Sequence, residues 1–151
     1  MDRRWVFKLF AAAAVAAPLT DRQAIAAGET PHRLALRVDQ NDADVMRLAL
    51  NNARNAYELY RERGEQVMIE IVAYSEGLHM LRDDTSPVKD EIRQTRAKVP
   101  QLTFGACNNT KRAMEKTEGK IIPIIPEAHV VPAGVVRLVE LQEEGYTYIK
   151  P

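Results

Sequence analysis

The chain has 151 residues, the length of a single domain and enough to bury an apolar core without disulfides or a structural metal. An apolar share of 46% excludes a disordered chain and a membrane bundle. Lysine plus arginine and aspartate plus glutamate each total 21, which lacks the basic excess of a nucleic-acid binder, and the single cysteine supplies neither an internal disulfide nor a Cys-rich zinc site.

Residues 1–27 read as an address, and residues 28–151 as the domain. Arg3-Arg4-Trp5-Val6-Phe7-Lys8 is a basic stretch, Leu9 to Leu19 is a short Ala-rich apolar run, and Ala24-Ile25-Ala26 offers small residues to a signal peptidase. The run is shorter than the ~20 apolar residues of a membrane-spanning helix. The arrangement resembles a bacterial Tat signal peptide, with Val6 and Asp2 departing from the usual residues. Export to the periplasm is therefore expected, with no membrane span after cleavage. His32 lies close to the expected cleavage point and is expected in a mobile tail.

Within the domain, Leu34 to Asp39 reads as a first strand. Asn41 or Asp42 caps a long helix whose apolar face is Val45, Leu48, Ala49, Ala53, Ala56, Tyr57 and Tyr60, and Gly64 stops it. Asn51, Asn52 and Asn55 give that helix a polar face or a subunit contact. Val67 to Ala73 is a buried strand. Ser75-Glu76-Gly77 is a turn in which Gly77 takes backbone angles that other residues resist. A helical turn over 78–81 and a helix over 88–98 follow, the latter started by Pro87 and stopped by Pro100. Leu102 to Ala106 is the third strand, and 108–116 a third helix. Residues 121–125, with Pro123 inside and Pro126 directly after, form an extended connection. A strand over 128–131, a helix over 132–141 and a short strand over 146–149 complete the chain. Strands alternating with helices predict right-handed crossovers and an α/β fold with a mostly parallel five-stranded sheet.

Sites in such sheets form beyond the C-terminal strand ends. Cys107 sits there, where a strand becomes a helix, so helix-N-terminal amides favour its thiolate. The amides around Asn108 and Asn109 are expected to hold the anion, and Gly105 to let another group approach the backbone. Tyr74 and Gly77 close the neighbouring strand end, and His79 is the histidine best placed to influence the thiol. His32, His79 and His129 share no metal-ligand spacing, and no phosphate loop, nucleophile elbow or dinucleotide fingerprint occurs. No metal or organic cofactor is expected.

Four segments carry a resemblance: Ala49 to Asn55, Val67 to Gly77, Phe104 to Thr110, and Val131 to Val136 with Gly145 to Pro151. In this order they resemble the small single-domain branch of the DsrE/DsrF-like sulfur-relay family. Ser75 stands where relatives often have glycine, and Asn108 where a small residue is more usual. The resemblance implies a three-layer α/β/α fold related to the flavodoxin-like ones and assembly as a homotrimer or homohexamer. It also implies a persulfide-carrying cysteine at Cys107 that exchanges sulfur with donor and acceptor proteins or small sulfur species. Such carrier chemistry leaves open whether the protein turns over as an enzyme. The alternatives are a non-catalytic oligomeric small-molecule-binding protein with an inert buried thiol, and a redox-sensing thiol.

Overall fold

The computed structural model describes residues 30–151; the expected signal peptide lies outside them. Among the described residues no helix is long and apolar enough to cross a membrane. The order is β1 (His32–Val38), α1 (Ala43–Glu62), β2 (Val67–Ala73), a 3₁₀ turn (Ser75–Leu81), α2 (Lys89–Lys98), β3 (Leu102–Cys107), α3 (Asn108–Glu118), β4 (Ala128–Val131), α4 (Gly134–Glu143) and β5 (Thr147–Ile149). The sheet is entirely parallel, in the order β4-β3-β2-β1-β5. The fold is thus the expected α/β/α arrangement.

The strand order explains the layers. From β1 to β4 the chain steps in one direction, so right-handed crossovers put α1, α2 and α3 on one face. From β4 it returns past three strands to β5, and the same hand puts α4 on the other face. The cores agree. Leu36, Val38, Ile69, Ile71, Phe104 and Ala106 face Met46, Ala49, Leu50 and Ala53 of α1 and Ile92 of α2. Ala35 and Val72 face Leu138 and Leu141 of α4 in a much smaller cluster.

Local chemistry sets the boundaries. Asp42 caps α1, its Oδ1 accepting from the N–H of Asp44 at 2.8 Å and of Val45 at 3.3 Å. The buried stripe of α1 is Met46, Ala49, Leu50 and Ala53, so Leu48, expected inward, is exposed instead. The helix is rotated toward Met46 and Leu50, the longer side chains that fill the space over β1 and β2. Asn51 and Asn55 are exposed and Asn52 half-buried, which fits the polar-face reading. His32 is not in a tail. It opens β1, with its N–H on the Gln66 carbonyl at 2.8 Å, its Nε2 2.8 Å from Glu65 Oε2 and its ring stacked on Tyr60 at 3.9 Å.

Gly77 departs from its expected role. The residue with positive φ is Ser75, at 51°, whereas Gly77 is required for space: a Cβ there would stand 2.3 Å from the Val38 carbonyl oxygen. The 3₁₀ turn therefore packs directly on the end of β1.

Candidate functional site at the switch point of the sheet

β3 and β4 are neighbours, yet the chain leaves β3 into α3 on one face and β4 into α4 on the other. Such a reversal opens a crevice outside the strand ends, where ligand chemistry in open sheets concentrates. Cys107 ends β3 at this place, paired with Val131 of β4, and is itself the N-cap residue of α3. The two helix starts are tied together, since the Asn109 N–H donates to the Pro132 carbonyl at 3.3 Å.

Cys107 is 4% exposed, yet it belongs to neither apolar cluster of the core. Its surroundings are donors. Burial pushes the thiol up, but hydrogen bonds from the Thr110 hydroxyl and from the N–H groups of Thr110, Gly134 and Asn109 more than offset it. The net value lies below that of an ordinary thiol. Asn109 and Thr110 are the second and third residues of α3. Gly134 is the first residue of α4. The starts of α3 and α4 thus lie side by side at the strand ends that carry Cys107 and Val131, and the nearness of Gly134 was invisible to local sequence reasoning. Asn108 is the first residue of α3 and is half-buried.

Gly134 is glycine because Tyr74 leaves no room: an added Cβ would sit 2.8 Å from the Tyr74 Cβ. Tyr74 is held by its N–H on the Val38 carbonyl at 3.1 Å and lies against Arg37 of β1. Gly105 gives room to a different group than expected. A Cβ there would meet Glu70 Oε1 at 3.0 Å, so the glycine accommodates a buried carboxylate of the sheet. His79 is engaged elsewhere, its Nδ1 2.8 Å from Thr85 Oγ1 and its Nε2 3.9 Å from Glu76. His129 is exposed, on β4, with Nε2 3.6 Å from Glu70 Oε1. Among the described residues no group of three or more His, Cys, Asp or Glu side chains is placed to hold a metal ion.

Beside the thiol lies a cleft of about 520 Å³, lined by Tyr74, Ser75, Glu76 and His79 on one wall and by Thr110, Ala113, Met114, Thr117 and Glu118 of α3 on the other. Thr110 is the partition between cleft and sulfur. Its Oγ1 accepts from the Ser75 N–H at 3.0 Å while its hydroxyl serves Cys107. The chemistry available is that of a sheltered thiol whose ionisation is eased by neutral donors.

No protein-family model matches the sequence, and no curated protein matches it significantly. Among solved structures it is similar to MTH1491, a protein of unknown function from Methanobacterium thermoautotrophicum. The identity is 32% and the TM-score 0.67, over 80% of this chain and 99% of that one. At that identity and coverage, this chain belongs to the same family as MTH1491.

Proposed function

We propose that the protein is an exported sulfur carrier of the DsrE/DsrF-like type. The observation that carries this reading is the place of Cys107 at the switch point of the sheet, as the N-cap residue of α3 beside the start of α4, where neighbouring donors bring its thiol below the ordinary value. The order of the resembling segments in the sequence and the signal-like residues 1–27 support it.

The chemistry balances without a cofactor. The Cys107 thiolate attacks the outer sulfur of a donor persulfide. One S–S bond forms, the donor's S–S bond breaks, and the donor leaves as a thiolate. The outer sulfur of the resulting Cys107 persulfide is then attacked by an acceptor thiolate, which returns Cys107 as a thiolate. The amides hold the negative charge of Cys107 before it is loaded and again when it is released. Donor and acceptor are proteins or small sulfur species. The working unit is a homotrimer or homohexamer, a reading supported by the exposed Val135, Val136 and Val139 on one side of α4.

Intact mass after incubation with polysulfide tests this. The expected result is a gain of one or more sulfur atoms that reductant removes and that Cys107→Ser abolishes. A protein that gains nothing, and whose thiol resists alkylation until denatured, overturns it. The low exposure of Cys107 and the neighbouring cleft favour a second reading for that outcome, a small-molecule-binding protein with an inert thiol.

A further inference from the structure

Glu70 is a charged residue in the middle of a buried strand, its side chain 5% exposed. It points to the face covered by α4, where Arg137 grips it with two parallel hydrogen bonds, Nε to Oε1 at 3.0 Å and Nη2 to Oε2 at 2.8 Å. Gly105 of the next strand is bare, which leaves the carboxylate its place. Buried ion pairs of this kind are weak stabilisers, because desolvation consumes most of their Coulombic gain. Their better use is to fix one geometry among several.

The geometry fixed here is that of the α4 start. The large apolar anchors of α4, Leu138 and Leu141, lie beyond its first turn. In the first turn Gly134 has no side chain, and Val135 and Val136 point outward. Arg137, whose N–H closes that turn onto the Ala133 carbonyl at 2.9 Å, is therefore the side chain that ties the turn to the sheet. We propose that the buried Glu70–Arg137 pair is a positioning device that seats the α4 N-terminus beside Cys107, where the Cys107–Val131 pairing and the Asn109–Pro132 hydrogen bond bring it, and so governs how readily that thiol ionises. The inference rests on the reading of Cys107 as a working thiolate. Neither residue touches the reacting atoms.

The titratable groups on the elements packed around Cys107 are Glu70 of β2, Tyr74 just after it, Glu76 and His79 of the 3₁₀ turn, Lys111, Arg112, Glu115, Lys116 and Glu118 of α3, His129 of β4, and Arg137, Glu140 and Glu143 of α4. A through-space field and a positioning role differ in sign. If Glu70 acted only through its charge, Glu70→Gln would lower the thiol pKa and Arg137→Met would raise it. Positioning requires both to raise it, because either change releases the helix turn. The test is the pH dependence of the alkylation rate of the purified protein, with folding verified by circular dichroism. The expected result is an upward shift of about one pKa unit or more in both variants, as for the loss of a hydrogen bond to an anion. Arg137→Lys, which keeps the charge without the fork, should fall between. Gly105→Ala retains both charges and displaces only the carboxylate. It should also shift the thiol upward, and it decides the matter if Glu70→Gln folds poorly. Opposite shifts in the two charge variants, or no shift in Gly105→Ala, overturn the proposal while leaving the carrier reading intact. A wild-type thiol silent until denaturation overturns both.

Discussion

Thr110 faces two partners with different consequences. Accepting the Ser75 N–H at 3.0 Å occupies a lone pair of its oxygen and leaves its proton for the Cys107 sulfur. Ser75 holds φ at 51° to deliver that N–H, an uncommon angle for a residue with a side chain. Thr110→Val should therefore raise the thiol pKa by about one unit while Thr110→Ser leaves it near wild type, read from alkylation rates against pH. The linkage has a definite sign. The folded thiol sits below its unfolded value, so the stability it contributes is present above the unfolded thiol pKa and is lost as pH falls through the folded one. Cys107→Ser should flatten that part of the stability profile. Cys107 was legible as a candidate site because a lone cysteine at a strand-to-helix junction is a local pattern. Its donors were only half legible: Asn109 and Thr110 follow it in sequence, but Gly134 arrives from a helix 27 residues on.

At the scale of elements, the second knot of the structure holds α3. Arg82 ends the 3₁₀ turn and is 1% exposed, with forked hydrogen bonds to Asp84 at 2.9 and 2.8 Å and to Glu118 near the end of α3. Lys120 adds to Asp84 at 2.9 Å. Hydrogen bonds from Arg82 hold both carboxyls below their usual range, Asp84 strongly so. Stability from them is thus present above the unfolded carboxylate values and lost as pH falls through the depressed folded ones. The thermal midpoint of the wild type should drop as pH is lowered below about 4. Arg82→Met should lower the thermal midpoint at neutral pH and shrink the acid-side slope. Unfolding curves from pH 2 to 7 check both. Because Met114 and Glu118 line the cleft, this knot also fixes the cleft wall. Element boundaries were the most readable layer. β2 and β4 fall on continuous β-rich runs, and the Asp42 cap marks the start of α1. The rotation of α1 was not readable, since Leu48 and Leu50 are equally apolar and only the shape of the sheet chooses between them. The Glu70–Arg137 pair joins positions 67 residues apart, a separation at which periodicity carries no signal.

For the whole molecule, parallel alternation was evident from the order of strands and helices, but the switch point was not, because it depends on β5 returning beside β1. One helix on the second face is a direct result of that return, and it leaves Val135, Val136 and Val139 of α4 exposed at 58%, 53% and 48%. Light scattering should give a threefold or sixfold multiple of the chain mass, and Val136→Asp with Val139→Asp should reduce it. A wild-type monomer contradicts the assembly.

The depth of Cys107 has a regiochemical consequence. On the carrier reading, a loaded cysteine bears two sulfurs about 2 Å apart. The inner one keeps the sheltered place of the present thiol, 4% exposed and hemmed by main-chain donors, so an incoming nucleophile meets only the terminal atom. Attack there moves one sulfur and regenerates the free cysteine. Attack on the inner sulfur would expel hydrosulfide and strand the protein as a mixed disulfide. The burial that looks at first like a barrier to reactivity thus selects the productive of the two bond cleavages and keeps sulfide from escaping.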